Sequence, residues 1–99
     1  MITIEDIKNF SKEHKLGAPA RHTRLRNSLF EFSIVGGVSG LYGDFEETFE
    51  LAIFDLNGKN FITNLVLDDV NDDVVGHMSK ERLLELVNRF FRDGDFQVL

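Results

Sequence analysis

Hydrophobic and polar residues alternate along two segments in the middle of the chain, on either side of the dipeptide Asn57-Gly58. A period of two is typical of half-buried strands. Asn-Gly favours a two-residue type I′ turn, because both central positions of that turn require positive φ. Residues 45–67 are therefore predicted to form a β-hairpin. The predicted opposing pairs are Leu56–Lys59, Phe54–Phe61, Ile53–Ile62, Leu51–Asn64 and Phe49–Val66.

This register places the apolar side chains of the hairpin on two faces, because residues opposite each other share a face. The face expected to enter the core carries Phe49, Leu51, Ile53, Ile62 and Val66. The second face is predicted to carry Ala52, Phe54, Phe61, Leu65 and Leu67. Burying one phenylalanine is worth roughly 1.5–3 kcal/mol, so a contiguous apolar face is rarely left in water. The second face is therefore expected to be an interface, or to lie beneath a loop or the tail.

Two segments outside the hairpin carry the signals of amphipathic helices. Thr3 is a candidate N-cap and Gly17 a stop signal, so a first helix is expected over residues 4–15. Ser79 is a candidate N-cap for a second helix that ends before Gly94. The apolar face of this second helix consists of Leu83, Leu86, Val87, Phe90 and Phe91. Its width indicates a helix that packs against a core.

A strand and a glycine-rich link precede the hairpin. Leu29 to Val35 alternates with period two and predicts the first strand. Residues 36–44 contain four glycines and lack the lysine of a phosphate-binding loop. The link is interpreted as a long hairpin connection, or as a mobile flap that offers residues such as Tyr42 to a partner. Phe96 and Val98 are expected to form a short final strand or a packed tail.

The predicted order is helix, three antiparallel strands and helix, in a single domain spanning residues 1–99. The expected fold class is α+β, an α-β-β-β-α two-layer sandwich in which two helices cover a three-stranded antiparallel sheet. This order resembles the double-stranded RNA-binding domain over residues 3–92. That family places a lysine cluster at the start of its second helix, where this chain reads Asp72-Asp73-Val74-Val75-Gly76-His77-Met78-Ser79-Lys80. The resemblance therefore concerns topology and does not imply RNA binding.

Charge is unevenly distributed along the chain, whose formal net charge is −6. Residues 1–30 hold six basic and three acidic residues, whereas residues 31–99 hold five and fourteen. The acidic total argues against nucleic-acid binding through the overall field. The chain has no cysteine, no signal-peptide pattern and no apolar run long enough to span a membrane. A cytoplasmic location without membrane contact is expected.

The favoured hypothesis is a non-enzymatic protein–protein interaction module of the inhibitor, immunity or anti-defence type that binds a basic protein partner. An acidic surface can steer a basic partner and imitate a phosphate backbone. The predicted acidic contacts are Glu46, Glu47, Glu50, Asp68, Asp69, Asp72 and Asp73. The predicted apolar contacts are Phe54, Phe61, Leu65 and Tyr42. In size, charge and layout the chain is similar to small acidic inhibitors that phages make against host defence nucleases. A homodimer through the sheet faces is another use of the same surface.

The alternative hypothesis is a nucleic-acid or ribonucleoprotein accessory protein that uses a basic segment. This segment carries Arg21, His22, Arg24 and Arg26. It is also interpreted as a loop whose charges neutralise the acidic body of the protein. The absence of an interleaved aromatic residue for base stacking weakens the nucleic-acid hypothesis.

A third hypothesis is a small enzyme or ligand binder built around His77 and the acidic loop before it. No nucleophile motif accompanies this histidine, so no catalytic residue and no cofactor are predicted. Asp69, Asn71 and Asp73 match the first ligand positions of a calcium loop, but Val74 stands where the glycine belongs. No metal site is therefore predicted, and whether this loop binds a cation stays open.

Overall fold

The protein is described here by a computed structural model that covers residues 1–56, 60–92 and 94–99. The helices are α1 (Ile4–Asn9), α2 (Thr63–Val66) and α3 (Lys80–Phe90). The strands are β1 (Lys12–Glu13), β2 (Arg21–Arg26), β3 (Phe30–Gly36), β4 (Thr48–Asp55), β5 (Asn60–Phe61), β6 (Val74–Ser79) and β7 (Gln97–Val98). None of the helices in these ranges is long and apolar enough to cross a membrane.

The predicted three-stranded sandwich is wrong, because the described residues form a seven-stranded antiparallel sheet with three short helices. β2, β3 and β4 are the central strands, in that order. The short strands β1 and β7 both pair with the far edge of β2, and β5 and β6 both pair with β4. β3 confirms the strand predicted from Leu29 to Val35. Of the two expectations for the C-terminal end, a short strand or a packed tail, the structure has the strand β7. The chain is therefore still α+β, but most of it is sheet.

The basic segment forms a strand, not a loop, and this difference accounts for much of the larger sheet. Thr23 and Leu25 are fully buried, whereas the residues that alternate with them, His22, Arg24 and Arg26, are half-buried on the other side. The hydroxyl of Thr23 donates a hydrogen bond to the backbone oxygen of Ile7 at 2.7 Å. Carbonyl groups at the end of a helix need such partners, so this bond joins α1 to β2.

The predicted hairpin is correct close to its turn and wrong further away. Phe54 pairs with Phe61, and the backbone nitrogen of Ile62 donates to the oxygen of Ile53 at 2.8 Å. The turn itself, Asn57-Gly58, lies outside the described residues. Beyond Ile62 the chain turns into α2, so the predicted pairs Leu51–Asn64 and Phe49–Val66 do not form. β6 takes that place, with Val75 opposite Leu51 and Met78 opposite Phe49.

Thr63 explains why the second strand of the hairpin stops. Its side chain is fully buried at the first position of α2. The hydroxyl oxygen accepts a hydrogen bond from the backbone nitrogen of Ile53 at 2.9 Å and donates to the oxygen of Asp73 at 2.6 Å. The side chain thus satisfies a strand donor of β4 that a longer β5 would have satisfied, and it holds the chain leading into β6.

The two predicted N-caps are confirmed, although the first helix is much shorter than residues 4–15. Thr3 forms a capping box with Asp6, and the hydroxyl of Ser79 accepts from the backbone nitrogen of Arg82. α1 ends at Asn9, because residues 12 and 13 pair with β2 instead of continuing the helix. α3 matches the predicted second helix closely.

One core lies between the helices and one face of the sheet. Ile7 of α1 and Leu83, Leu86 and Val87 of α3 are buried in it. The strands contribute Leu25, Phe32, Ile34, Phe49, Leu51 and Ile53, all of them fully buried. Leu67, which was predicted to face outward, is also buried in this core. The side chain of Asn88 bonds both backbone groups of Ile2, so the N-terminal end is attached to α3.

Candidate functional site

The face of the sheet opposite the core, here called the outer face, carries most of the surface features that bear on function. Strand register places Arg24, Ser33 and Ala52 side by side across β2, β3 and β4. Alternation then assigns the remaining outer-face positions. These are His22, Arg26, Glu31, Val35, Glu50, Phe54, Phe61 and Val74. The buried residues of α1 and α3 belong to the core on the other side, and in the described part of the chain the outer face is bordered by loop residues such as His14, Lys15 and Leu41.

The middle of the outer face is a concave groove of about 350 Å³. Its floor is formed by strand residues, and its rim by the turn at His14 and Lys15 and by Leu41 of the glycine-rich link. None of the groove-lining residues lies on a helix. The complete lining is His14, Lys15, His22, Ser33, Val35, Leu41, Glu50, Ala52, Phe54, Phe61 and Val74.

One end of the groove is aromatic. Phe54 and Phe61 lie opposite each other on β4 and β5, with ring centroids 4.5 Å apart and ring planes tilted by 40°. The expectation that these two rings are neighbours on an outward face is confirmed. Phe61 is 43% exposed, whereas phenylalanine is among the residue types most often found buried. This pair is the largest apolar feature of the groove.

The other end of the groove contains two histidines. The rings of His14 and His22 have centroids 5.6 Å apart and planes tilted by 43°. Nδ1 of His14 accepts a hydrogen bond from the backbone nitrogen of Leu16 at 3.1 Å. Nε2 of His22 lies 2.8 Å from the hydroxyl of Ser33. Burial lowers the pKa of His22 below 6.5, and the charges of His14 and Arg24 lower it further.

The glycine-rich link is folded against β4 and β6 around Tyr42. The backbone nitrogen of Tyr42 donates to the carboxylate of Glu50 at 3.1 Å, and its oxygen accepts from the nitrogen of His77 at 2.6 Å. A Cβ on Gly76 would lie 2.6 Å from the Cβ of Tyr42, so only glycine permits this approach. These contacts support the hairpin-connection interpretation of the link over the flap. Tyr42 itself is 56% exposed and stays on the surface.

The carboxylate of Asp44 stabilises the turn at the end of the glycine-rich link. Oδ1 of Asp44 accepts from the backbone nitrogens of Glu46, Glu47 and Thr48 at 2.8 to 3.0 Å. These donors stabilise the charged form and lower the pKa of Asp44 to about 2. Asp44 is therefore a structural residue of the link that the sequence patterns did not single out, although an Asp after a run of glycines is typical of such turns.

Three of the seven predicted acidic contacts are already paired within the protein. Glu46 pairs with Lys8 at 2.5 Å, Glu47 with Lys80 at 2.9 Å and Asp69 with Arg82 at 2.6 Å. The hydrogen bond with Arg82 lowers the pKa of Asp69. Asp68, Asp72 and Asp73 are exposed in the loop between α2 and β6. Glu50 is the one predicted acidic residue that lines the groove.

The predicted basic contacts are also engaged within the protein. Arg21 donates to the hydroxyl and the backbone oxygen of Ser11. Arg24 and Arg26 both bind the carboxylate of Glu31, at 3.0 and 2.7 Å. Burial acts to raise the pKa of Glu31, but its hydrogen bonds with the two arginines outweigh that effect and lower it. Neutralisation within the protein, one of the two interpretations of this segment, is thus what the contacts favour.

The apolar residue Leu65 does not join the groove. It lies on α2 and is 75% exposed, on an element that packs beside β4 and β6. Several groove residues were in turn not predicted, among them Ser33, Val35 and Val74. The period-two alternation of Arg21 to Arg26 was the available signal, because it would have placed His22 on a strand beside Ser33.

No group of three or more His, Asp or Glu side chains within the described ranges is placed to hold a metal ion. In the calcium-like segment, Asp69 is bound to Arg82. The His14–His22 pair is not arranged as a metal site either. Nδ1 of His14 accepts a hydrogen bond, so Nε2 carries the proton, and a ligating nitrogen must be free of one.

Comparison of the chain with protein-family models, with curated proteins and with solved structures gave no match. Its function is therefore inferred from its own residues.

Proposed function

We propose that the protein is a non-enzymatic interaction module that binds a basic protein partner through the outer face, with the groove as the centre of the contact. The observation that carries this proposal is the Phe54–Phe61 pair at the aromatic end of the groove, in which Phe54 is half-buried and Phe61 is 43% exposed. Aromatic anchors in a concave site are the side chains that dominate protein interfaces. Because the pair packs against itself, little conformational entropy is lost when a partner covers it.

Charge supports a basic partner. The net charge of −6 gives a field that attracts cationic proteins. Glu50 lies in the groove, and the exposed Asp72 and Asp73 lie directly before Val74, which lines it. A partner that inserts an apolar side chain between flanking lysines or arginines would meet apolar surface at the centre and carboxylates at the border. An inhibitor or immunity protein acting in the cytoplasm is the class of protein we propose.

The test is capture of a partner with matched variants. The immobilised protein, Phe61→Ala and Leu29→Ala are each incubated with lysate of the native host, and the bound proteins are identified by mass. Leu29 is 61% exposed in the turn between β2 and β3, away from the groove, and serves as the control. We expect a basic protein that Leu29→Ala retains and that Phe61→Ala binds about 30-fold more weakly, as for an interface hot spot.

Two results would contradict the proposal. The first is equal capture of every basic protein by both variants, because the aromatic pair would then play no part in binding. The second is a concentration-dependent dimer in sedimentation experiments that Phe61→Ala dissociates. In that case a second copy of the chain, not a basic partner, occupies the outer face.

One observation favours nucleic-acid binding as a second candidate function. β2 places His22, Arg24 and Arg26 on the same face as the aromatic pair, and sheets that bind single strands combine stacking rings with neighbouring cations. The ion pairs with Glu31 weigh against it. A mobility shift with a single-stranded oligonucleotide that is abolished in the double variant Arg24→Ala, Arg26→Ala would support this second function over the first.

A further inference from the structure

We propose that His14 and His22 make the groove sensitive to pH, so that acidification adds positive charge at this end and disfavours a basic partner. The effect on binding rests on the proposed function. The titration of the two rings does not, because it is a property of the free protein and can be measured without any partner.

The geometry brings together two titratable rings from different parts of the chain. His14 belongs to the turn between β1 and β2, and His22 lies on β2 itself. The centroid separation of 5.6 Å means that a charge on one ring lies close to the other. Both rings line the groove, so a proton bound by either is presented to whatever occupies it.

Protonation changes a specific hydrogen bond as well as the charge. Nδ1 of neutral His14 accepts from the backbone nitrogen of Leu16. When His14 is protonated, both ring nitrogens become donors, and this bond is lost. The turn that forms the rim of the groove therefore loses one of its contacts on acidification. The hydrogen bond between His22 and Ser33 can persist after protonation, because a hydroxyl oxygen can accept as well as donate.

Other charged groups set how easily each ring is protonated. His22 lies opposite Lys12 of β1 and next to Arg24 along β2, and Lys15 lines the same groove. These cations oppose protonation, whereas nearby carboxylates favour it. The carboxylates are Glu13 of β1, Glu31 of β3 and Glu50 of β4. Glu31 is shared by two arginines, Glu13 accepts from the nitrogen of Ala18, and Glu50 accepts from Tyr42, so none is dedicated to a histidine.

A positive charge on His14 is therefore expected to oppose the protonation of His22. It acts together with burial and with Arg24, which also lower the pKa of His22. The direction agrees with the 5.6 Å between the ring centroids, because like charges at this distance repel. Acidification adds positive charge at an end of the groove where Lys15 already lies.

The direct test is an NMR titration of the histidine ring protons at low salt. The wild type, His14→Gln and His22→Gln are compared, with His77→Gln as the control on a separate strand. We expect the midpoint of His22 to rise in His14→Gln, because a neighbouring charge that lowers it is removed. The amide signal of Leu16 is expected to shift in acid, because protonation of Nδ1 of His14 removes its acceptor. His77→Gln leaves the midpoint of His22 unchanged.

The titration overturns the proposal if His14→Gln leaves the midpoint of His22 where it was. If His14→Gln fails to fold, His22→Gln keeps the ring of His14 and its bond to Leu16. A Leu16 amide that does not respond to acid in that variant would then overturn the proposal. Once a partner has been captured, its affinity is measured above and below pH 6.5. If the affinity is the same at both pH values although His14→Gln moves the midpoint of His22, the proposed effect of pH on binding is refuted, but the interaction between the two rings is not. Equal capture of every basic protein by Phe61→Ala and Leu29→Ala would refute the proposed function alone.

Discussion

Glu31 is the residue of the outer face whose replacement tests the charge arrangement most directly. Its side chain is 8% exposed and lies between two arginines. One carboxylate oxygen accepts from Arg24 at 3.0 Å, and the other accepts two bonds from Arg26 at 2.7 and 3.0 Å. Glu31→Gln keeps the shape of the side chain but removes its charge and one acceptor oxygen. The change therefore isolates the electrostatic contribution.

The expected loss of stability follows from the exposure of the partners. A hydrogen bond to a charged group contributes about 1.5–3 kcal/mol, and breaking a fully buried ion pair costs more. The side chains of Arg24 and Arg26 are 41% and 38% exposed, so water replaces part of what they lose. We expect Glu31→Gln to lower the free energy of unfolding by about 1–2 kcal/mol. For a domain of this size, that lowers Tm by roughly 4–8 °C per kcal/mol.

The effect has a defined pH dependence. The arginines hold the pKa of Glu31 below its value in the unfolded chain, 4.5. The stabilisation is therefore fully present above that value and is lost as the pH falls through the lower folded pKa. Urea unfolding curves of wild type and Glu31→Gln are compared near neutral pH and in acid. The difference between them should shrink as the pH falls below 4.5 and through the lower folded pKa of Glu31.

Glu85→Gln is the matched control, because Glu85 forms an exposed pair with Arg89 one turn along α3. Such pairs contribute only about 0.3–0.5 kcal/mol. If Glu31→Gln costs no more than Glu85→Gln, the two arginines are not held by Glu31 in solution. A difference that persists unchanged in acid would also refute the electrostatic explanation.

Three further changes test the fold beneath the groove. Asp44→Ala is expected to cost about 1 kcal/mol above pH 3.8, after discounting for solvent exposure, and the cost should vanish as the pH falls to about 2; Asp44→Asn, measured by the same unfolding curves, should cost less. Phe91→Ala is expected to cost about 3–5 kcal/mol, because the ring is 1% exposed, whereas Leu65→Ala should stay within about 0.5 kcal/mol. Thr63→Val is expected to cost about 1–3 kcal/mol and to speed hydrogen exchange at the Ile53 amide, which loses its acceptor; an unchanged exchange rate would contradict this role.

Local signals in the sequence predicted the parts of the fold that depend on neighbouring residues. Thr3 and Ser79 cap helices because the cap needs only donors within the next three residues. Phe54 and Phe61 face each other because a short connection fixes the register next to it. The same reasoning fails for residues beyond Ile62, because a contact with Asp73, ten residues after Thr63, decides where the strand ends.

The basic segment shows why charge patterns mislead when they are considered without register. Arginine and histidine are common in loops, and Arg21 to Arg26 contains only one large apolar residue, Leu25. The segment forms a strand because Glu31 lies opposite Arg26 on β3 and binds its charge, while Thr23 finds an acceptor on α1. Neither partner belongs to the segment itself, because Glu31 lies on β3 and the acceptor of Thr23 lies in α1. Hence the sequence alone left open whether these cations face a ligand or the protein itself.

Local sequence signals predicted the aromatic end of the groove but not the histidine end. The aromatic end depends on the hairpin alone, so the sequence predicted it. The histidine end requires β1 to return onto β2 and the intervening turn to place His14 over His22. Glycine at position 17, with φ of +89°, allows that turn, but the signal was interpreted as the end of a helix. The groove as a whole therefore emerged only from the assembled sheet.

The open outer face follows from how the chain distributes its helices. The buried residues of α1 and α3 join a single cluster, so both helices serve the same face of a sheet that is wider than predicted. The opposite face must then be covered by connections between strands. The turn at His14 and the link at Leu41 line the same groove as Val35 and Ala52, which are each only 7% exposed. Phe61 also lines this groove but is 43% exposed, and this exposed ring is the reason that we assign binding to the outer face.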